Sequence, residues 1–290
     1  MTAIPPKPWP TGTAEQIEPL VRRVLAPNPS PYTYTGTQTY IVGLGDGCAV
    51  IDPGPATPDH LLALDAAIGG EHVCAIMCTH THRDHSPAAA PLARRTGAPV
   101  VGCAPLVLDD SGPRVDAAFD RDYSPDRVLD DGEAMTGPGW TLHAVATPGH
   151  VSNHLCFALE ESGALFTGDH VMGWSTSVIV PPDGDMADYM RSLEILQDRE
   201  DRIYYPAHGP AVTKPRQLVR GMIGHRRQRE NQIVRLLGEA PHHAAGLVPK
   251  MYKGLDPRLT GAAEMSVTAH LIDLERRGLV ARSGDTWQTS

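Results

Sequence analysis

The 290-residue sequence predicts a layered α+β sandwich followed by a smaller, mainly helical C-terminal domain. Up to residue 214, many short apolar runs bounded by turn residues alternate with a few amphipathic helical patterns, which is typical of sheets with helices inserted between groups of strands. From residue 215 onward, helical patterns follow one another and only one short hairpin pattern remains. We therefore expect one domain over residues 1–214 and a second over residues 215–290.

The first part of the chain predicts a Pro-rich, irregular segment over residues 1–35 and then a hairpin. Two apolar runs, Tyr40–Leu44 and Cys48–Asp52, flank a Gly-Asp-Gly turn, which is a strong hairpin signature. Apolar residues on one side of Pro58–Ile68 predict a helix. The wholly apolar run Val73–Cys78 predicts a strand that is covered on both faces.

The elements that follow alternate in the same way. Ser86–Thr96 predicts a helix with Ser86 as N-cap, Pro87 at the first position and Gly97 as the stop. Residues 104–139 are acidic and rich in turn residues, and they predict short strands and loops. Further short strands are expected at Val100–Cys103, Thr141–Ala146, Leu155–Leu159, Ala164–Thr167 and Ile203–Tyr205, and an amphipathic helix at Asp185–Arg199.

The chain after residue 215 predicts a long helix, a short helix near Leu247–Tyr252, a helix that includes Val267–Arg277, and a small hairpin. Three helices followed by a two-stranded wing are the outline of a winged helix. The helix that would enter a nucleic-acid groove offers only two arginines near its end, beside two acidic residues. Packing or homodimer formation is therefore the expected role of this domain, with nucleic-acid binding as the alternative.

Charge is distributed unevenly along the chain. Residues 1–214 carry 13 basic and 27 acidic side chains, a net charge of −14, whereas residues 215–290 carry 12 and 7, a net charge of +5. The acidic first part disfavours a polyanionic substrate. The basic run Arg226–Arg229 is a candidate binding site for RNA phosphates. The alternative interpretation is that these side chains form a solvated face of the long helix.

No apolar run approaches the ~20 residues that are needed to span a bilayer. The N-terminal segment lacks the basic start and apolar stretch of a signal peptide, so we expect a cytoplasmic protein without a membrane partner. The five cysteines form no C-x-x-C pair and lie among small or apolar residues, which predicts buried, reduced thiols.

The side chains best suited to bind metal cluster in a short segment directly after the predicted strand Val73–Cys78. His80, His82, Asp84 and His85 place three imidazoles and a carboxylate on one loop at a sheet edge, where they can converge on cations. Zinc accepts imidazole nitrogen and carboxylate oxygen at ~2.0–2.2 Å. Iron, manganese or nickel can use similar ligands, so the residues predict a metal site without deciding the metal.

Three later residues complete a candidate ligand set. His150, Asp169 and His208 each come just after a predicted strand and beside small or turn-forming residues, which let the backbone approach closely. Because each follows a strand, we expect all three side chains to point into one cleft above the sheet edge. The candidate site then contains five histidines and two aspartates.

These segments, HTHRDH, TPGH, GDH and AHG, resemble in order and spacing the four metal motifs of the metallo-β-lactamase superfamily. The resemblance implies a four-layer αβ/βα sandwich with the active-site cleft at one edge. It also implies two divalent metal ions, with Zn²⁺ as the expected metal and Fe or Mn as alternatives. The implied ligands are His80, His82 and His150 for one metal, Asp84, His85 and His208 for the other, and Asp169 as the bridge.

Four further segments resemble the lactamase-beta-like-two branch of that superfamily over nearly the whole chain. They are GTQTYIVG, GDHVMG, DYMRSLEIL and HRRQRENQI, the last followed by the winged-helix pattern. The best-known member of the branch is described as a single-strand-specific endoribonuclease. This sequence departs from the family at Ala207, where Gly is usual, at Ser152-Asn153 and at His170. The last two departures approach the cleft and bear on the identity of the substrate.

The metal chemistry predicts a hydrolase. Two metals ~3.5–4 Å apart can share a water and lower its pKa toward ~7, which makes hydroxide available at neutral pH for attack on a carbonyl carbon or a phosphorus. We expect Asp84 to orient this hydroxide and Asp169, between the metals, to be the second catalytic carboxylate.

Four more residues are candidates for the surroundings of the site. Asp52, in the Ile-Asp-Pro-Gly turn, is expected to support the histidine loop through hydrogen bonds rather than to bind metal. His154 is a candidate general acid or substrate contact, His170 a candidate cleft residue, and Trp174 a candidate substrate-binding side chain. For these last three, a packing role is the alternative.

Three functions remain open on the sequence alone. The first is an endoribonuclease that acts on single-stranded RNA, which the branch resemblance favours. The second is a thioesterase, glyoxalase II-like enzyme, lactonase or β-lactamase-type hydrolase of a small ester, thioester or amide, which the acidic first domain favours. The third is a nucleic-acid-binding regulator with a sensor domain, and the complete ligand set argues against it.

Overall fold

The computed structural model describes residues 9–107 and 118–290. It divides into two compact units: the first unit comprises Met1–Ala146, Asn153–Ser175 and Glu200–Lys214, and the second unit comprises Thr147–Ser152, Thr176–Arg199 and Pro215–Ser290. The second unit thus contains the expected C-terminal domain together with two earlier segments. The division of the chain into domains at residue 214 stays a prediction.

A seven-stranded mixed sheet forms one half of the first unit. Its strands follow one another in chain order as β1 (Ala14–Glu18), β2 (Val21–Leu25), β3 (Gln38–Val42), β4 (Cys48–Ile51), β5 (Val73–Cys78), β6 (Val100–Gly102) and β7 (Arg127–Val128). Strands β1 to β4 pair antiparallel, whereas β4 to β7 pair parallel. Helices α1 (Pro58–Ile68) and α2 (Ala89–Thr96) supply the crossovers from β4 to β5 and from β5 to β6.

The parallel part of this sheet positions the histidine loop. Strands β4 and β5 are parallel neighbours, so their carboxyl ends reach the same edge of the sheet. Every side chain of β4 is buried, and β5 is buried except at the half-buried Cys74, as expected for strands that are covered on both faces. The residues that follow these two strands, Asp52 and Thr79-His80, therefore meet at that edge.

A five-stranded sheet forms the other half of the first unit. Its strands are β8 (Ala134–Gly137), β9 (Trp140–Ala146), β10 (Leu155–Leu159), β11 (Ala164–Gly168) and β12 (Ile203–Pro206), in the order β12-β11-β10-β9-β8. The only parallel pair among these described strands is β11 with β12. Because the carboxyl ends of a parallel pair lie together, Asp169 after β11 and His208 after β12 come to one edge.

The two sheets share one hydrophobic core. The ring of Tyr40 on β3 lies 5.0 Å from the ring of Phe166 on β11 and 5.7 Å from that of Tyr205 on β12. The Tyr40 hydroxyl donates to the Pro206 carbonyl at 2.7 Å, and Gln38 Nε2 donates to the same carbonyl at 3.0 Å. Burial of each such large side chain contributes about 1.5–3 kcal/mol. These contacts hold the ligand-bearing edges of the two sheets together.

The second unit is helical with a small hairpin. Its elements are α3 (Met186–Asp198), α4 (Pro215–Glu239), α5 (Ala244–Met251), α6 (Thr260–Arg276), β13 (Val280–Ser283) and β14 (Thr286–Thr289), with a single 3₁₀ turn at Pro257–Leu259. Helix α3 packs against α4 and α6. The C-terminal half of α4, with α5, α6 and the hairpin, encloses a separate core that includes Ile233, Leu271 and Trp287. Helices followed by a two-stranded wing confirm the predicted winged-helix outline.

The first 35 residues differ from the prediction of irregular structure, because β1 and β2 lie within them. Val21 and Val24 on β2 are completely buried, and β2 pairs with β3. Tertiary packing therefore stabilises a strand here, although the turn-rich residues on either side of it resemble loop sequence. Within the part of the chain that the structure covers, no helix combines the length and apolar character that crossing a bilayer demands.

Helix α2 begins at Ala89, three residues after the predicted start. Ser86 does not cap it: the Ser86 hydroxyl donates to Asp120 Oδ2 at 2.8 Å, and the backbone of His85 and Ser86 turns back onto the His82 carbonyl. The predicted stop at Gly97 is confirmed, since this residue is left-handed with φ 74°. Residues 108–117 of the predicted acidic middle region lie outside the described residues.

Candidate metal centre

The histidine loop is held in place by Asp52, at the end of β4. Asp52 Oδ1 accepts from the Thr79 backbone N–H and Asp52 Oδ2 from the Thr79 hydroxyl, both at 2.8 Å. Asp52 Oδ2 also lies 3.0 Å from Nδ1 of His85. One carboxylate thus contacts both the beginning of the loop and a candidate ligand, and its role in supporting metal ligands stays a prediction.

The backbone of Asp52 is strained. Its φ is 47°, and together with Tyr34 at 59° it is one of two non-glycine residues with positive φ in the described parts of the chain. Non-glycine residues in this region cost of order 1–3 kcal/mol and persist where the surrounding structure over-determines them. Asp52 contacts the histidine loop, and Tyr34 stacks on Trp174 with ring centroids 4.8 Å apart. Both strained positions therefore adjoin candidate site residues.

Three ligand atoms of the first unit, from His80, His82 and Asp169, all lie within 4.8 Å of one another. His80 Nδ1 lies 2.9 Å from the Thr79 hydroxyl, and its Nε2 lies 2.9 Å from Nδ1 of His82. Two imidazole nitrogens and a carboxylate oxygen that converge in this way form a donor set for a divalent transition metal.

A second group comprises Asp84, His85 and His208, whose ligand atoms also lie within 4.8 Å of one another. Asp84 Oδ2 lies 3.2 Å from His208 Nε2 and 3.3 Å from His85 Nε2. The Nε2 atom of His85 is buried and makes no hydrogen bond. A buried ring nitrogen that faces carboxylate oxygens without a hydrogen bond to them is suited to share a cation with them, and a divalent metal ion fits this donor set.

Asp169 links the two groups. It belongs to the first, yet its Oδ1 lies 3.2 Å from His208 Nε2 and its Oδ2 lies 3.7 Å from His85 Nε2, both in the second. Gly168, directly before it, has φ 47°, and a Cβ there would approach Thr79 Oγ1 and His154 Nε2 to 2.7 Å. Close packing around position 168 thus requires a glycine directly before the candidate ligand Asp169.

His150 belongs to the second unit and follows β9. Its Nδ1 lies 2.7 Å from the carbonyl of Val178, which fixes the ring. Gly149 before it has φ 131°, and a Cβ at that position would lie 2.3 Å from backbone atoms of Tyr189. Gly149 thus lets the backbone before His150 pack closely against α3, and the role of His150 as a metal ligand stays a prediction from the motif.

The histidines of the first unit differ in charge. Burial opposes the charged form of His85, but the carboxylates of Asp84 and Asp169 raise its pKa well above the usual range. The same two carboxylates outweigh burial at His208 and raise its pKa to about 10. Burial lowers the pKa of His80 well below the usual value, and the neighbouring imidazoles add to this effect.

The two aspartates remain ionised. Burial alone would raise the pKa of Asp84, but His85 and His208 hold it well below its usual range. His208 and His85 likewise outweigh burial at Asp169 and keep its pKa well below the usual range. The carboxylates of Asp84 and Asp169 thus favour positive charge on His85 and His208, and a cation held by the same residues would be stabilised in the same way.

The three candidate substrate-binding residues occupy different positions. His154 is buried, and its Nε2 accepts from the Asp169 backbone N–H at 3.2 Å, a geometry that favours positioning of the ligand. His170 is also buried, with its ring 5.9 Å from that of His154. Trp174 is half-buried against Tyr34 and Gly209. A substrate-binding role stays a prediction for each of them.

Sequence reasoning missed Thr37 and Phe119. The buried Thr37 hydroxyl donates to Asp84 Oδ2 at 2.9 Å, and the ring of Phe119 lies over that of His82 with centroids 4.7 Å apart. The signal for Thr37 was a pair of threonines, Thr37 and Thr39, at alternate positions directly before the apolar run that starts at Tyr40. Nothing in the sequence near Phe119 indicated its position, since a long connection separates it from the histidine loop.

Comparison with protein families identifies the class. The family described as "Metallo-beta-lactamase superfamily" matches residues 32–208, and the "Beta-lactamase associated winged helix domain" matches residues 244–287. The chain therefore belongs to the metallo-β-lactamase superfamily and is a hydrolase of that class with a His/Asp site for divalent metal. The predicted family, fold class and general function are confirmed.

Among individual proteins, the chain is similar to two differently named groups. It is 33% identical over 237 residues to the atrochrysone carboxyl ACP thioesterase nsrC of Aspergillus novofumigatus, covering 80% of this chain and 67% of that protein. It is 31% identical over 287 residues to the β-lactamase-like protein 2 homolog of Drosophila melanogaster, covering 91% of each. The homolog from Caenorhabditis elegans is 33% identical over 231 residues, covering 78% of this chain and 73% of its own length.

Solved structures share the fold. The metallo-β-lactamase family protein TTHA1429 from Thermus thermophilus superposes with a TM-score of 0.77 over 94% of this chain and 100% of its own, at 23% identity. TTHA1623, solved in a di-iron-bound form, is 30% identical with a TM-score of 0.54, covering 68% of this chain and 96% of its own.

Proposed function

We propose that this protein is a binuclear metal-dependent thioesterase that hydrolyses a small acyl thioester. The observation that carries the proposal is the position of Asp169, which joins two groups of ligand atoms into one continuous site. The thioester substrate is supported by the relatives named as acyl-carrier-protein thioesterases and by the acidic first part of the chain, which disfavours a polyanion.

In this proposal two divalent ions are bound, with Zn²⁺ expected. Iron is the leading alternative, because the similar TTHA1623 was solved with two irons, and manganese is the other. The proposed ligand sets are His80, His82 and His150 for one ion, Asp84, His85 and His208 for the other, and Asp169 for both.

Such ions supply Lewis acidity and make a water nucleophilic near neutral pH. The residues of the chain hold the reactants and move the proton. Asp84 is the most exposed of the ionised carboxylates around the ligand groups, with 27% of its side chain accessible, and is our candidate to accept the proton of the attacking water. Thr37 fixes its orientation. Water adds to the acyl carbon, the carbon–sulfur bond breaks, and the products are a carboxylic acid and a thiol.

Cleavage of single-stranded RNA is less well supported. Within the second unit, Arg226 is buried with its guanidinium on the Ser177 carbonyl at 2.5 Å and over the ring of Tyr189. Arg229 donates to the Met251 carbonyl at 2.6 Å. Arg226 and Arg229 therefore pack within their own unit, and the exposed Arg227 lies 3.1 Å from the Glu194 carboxylate, so the run offers few free cations to phosphates. RNA cleavage, a homodimer and a cytoplasmic location stay predictions.

The test measures thiol release from acyl thioesters of N-acetylcysteamine, beside cleavage of a fluorescent single-stranded RNA oligomer, with elemental analysis of the purified protein. We expect thioester turnover that Asp84→Ala lowers by ~10²–10⁴-fold, the range of positioned proton transfer. Asp46→Ala, in the exposed turn between β3 and β4, is the matched control and should retain turnover. RNA cleavage without thioester turnover would overturn the proposal.

A further inference from the structure

Two half-buried aromatic side chains of the first unit lie beside the two groups of ligand atoms. Phe119 covers the ring of His82, in the first group, with an interplanar angle of 31°. Trp174 packs against Gly209, the residue after His208 in the second group. Each residue is half-buried overall, and its ring contacts a segment that carries a candidate metal ligand.

Phe119 is held in place by backbone hydrogen bonds to the histidine loop. The Arg83 N–H donates to the Ala118 carbonyl at 2.8 Å, and the Asp120 N–H donates to the Thr81 carbonyl at 2.7 Å. Arg83 Nε adds a bond to the Phe119 carbonyl at 3.0 Å. Residues 118–120 are therefore hydrogen-bonded to the histidine loop, and these bonds hold the Phe119 ring in position beside His82.

Trp174 is equally well anchored, at the other group. The Gly173 N–H donates to the His208 carbonyl at 3.1 Å, and a Cβ on Gly173 would lie 1.9 Å from the Pro210 carbonyl oxygen. The indole stacks on the ring of Tyr34, which holds a left-handed backbone conformation at φ 59°. A strained residue that supports an aromatic platform is expected where the platform serves binding.

We propose that Phe119 and Trp174 are the walls of an acyl-binding site that selects aryl or other bulky planar acyl groups over short aliphatic ones. This inference rests on the proposed thioesterase function and names its substrate class. Aromatic rings recognise planar apolar groups by stacked or edge-to-face contact, which contributes about 0.5–1.5 kcal/mol per ring beyond area burial. An acetyl group is too small to contact both rings, so two aromatic side chains, one beside each group of ligand atoms, would add no binding energy for it.

The first experiment compares kcat/KM for benzoyl and acetyl thioesters of N-acetylcysteamine. We expect a preference for benzoyl of about tenfold or more, since two ring contacts together correspond to roughly that ratio. Phe119→Ala and Trp174→Leu should each reduce the preference by about threefold or more, mainly through KM, and Trp174→Phe should restore most of it. The exposed Tyr32→Ala is the control for loss of an aromatic ring elsewhere in the same unit.

A second readout does not need turnover. An S-benzyl thioether analogue should quench tryptophan emission of the holoprotein, and its Kd should rise in Phe119→Ala but not in Tyr32→Ala. Equal losses on both thioesters, or analogue binding that neither wall variant changes, would overturn the inference while leaving the thioesterase proposal standing. Absence of all thioester turnover in an otherwise metal-loaded protein, with analogue binding intact, would overturn the proposed reaction and not the aryl-binding walls.

Discussion

Buried histidines occur in both units, but their surroundings favour the charged form in the first unit and the neutral form in the second. His85 and His208 in the first unit lie among carboxylates, which raise the pKa of each despite burial. His270 on α6 of the second unit is equally buried, but burial and the nearby Arg226 lower its pKa to about 3. The same side chain is thus favoured as a charged imidazolium in one unit and as a neutral packing group in the other.

This difference in preferred charge separates a candidate metal-binding histidine from a packing histidine in a buried environment. Burial disfavours the imidazolium form everywhere, so a buried histidine with no carboxylate nearby stays neutral. Carboxylates within about 4 Å reverse this effect and mark a place where positive charge is stabilised. In the first unit these carboxylates favour protons on His85 and His208, and a divalent ion held by the same residues would be stabilised for the same reason.

The largest expected effect comes from the carboxylate that joins the ligand groups. Asp169→Asn removes one negative charge and one ligand oxygen from both groups, so we expect loss of at least one metal and a fall in kcat of roughly 10³-fold, given several kcal/mol of metal stabilisation. Elemental analysis and steady-state rates measure both. Retention of two metals with most of the activity would contradict a bridging role.

Asp52→Asn weakens the support of the histidine loop without touching a ligand atom. The neutral amide keeps the size of the side chain but loses the charge that faces His85, so we expect metal affinity to fall by about 10–100-fold. Titration against a chromophoric chelator measures this. Asp46→Asn is the matched exposed control, and equal affinity in the two variants would show that Asp52 only shapes the turn.

The packing histidine should make the fold sensitive to acid. His270 has a folded pKa of about 3 against an unfolded pKa of ~6.5, so the unfolded chain takes up a proton that the folded chain refuses as pH falls below ~6.5. Arg226 and Arg229 on α4 and Arg277 after α6 are the cationic groups near it, and the titratable His225 on α4 also contributes to lowering its pKa. The cost reaches about 2 kcal/mol at pH 5 and grows until the pH approaches the folded value.

His270→Met should remove this dependence. Urea unfolding at pH 7.5 and pH 5, followed by tryptophan fluorescence, gives the difference between the variant and the wild type at each pH. His72→Met, at an exposed histidine, is the control for loss of an imidazole. Parallel pH profiles for wild type and His270→Met would contradict the assignment of His270 as a neutral packing group.

The smallest expected effect is at Thr37. Thr37→Val removes the hydroxyl that orients Asp84, and because a hydrogen bond to a charged group contributes ~1.5–3 kcal/mol, kcat should fall by about tenfold with metal content unchanged. Thr37→Ser keeps the hydroxyl and should recover most of the rate. A fall in metal content in Thr37→Val would instead assign the hydroxyl to ligand support.

Much of the first unit could be predicted because its pattern is local. Helix α1 and strands β5 and β10 have the predicted bounds, since uninterrupted apolar runs and a helix with Pro at its start and Gly at its end leave little choice. Strands β1 and β2 were missed because their flanking prolines resemble loop sequence, while the burial of Val21 and Val24 depends on pairing with β3.

The sequence by itself determined the chemistry: which side chains follow buried strands, in what order, and hence which donor atoms are available to a metal. The tertiary structure alone decided what surrounds them, including the hydroxyl on Asp84, the ring over His82 and the burial of Arg226. The physical reason is separation along the chain. The end of a strand fixes the position of the residue that follows it, so that position can be read from the local sequence. A contact between residues far apart in the chain forms only after the sheets have paired and packed.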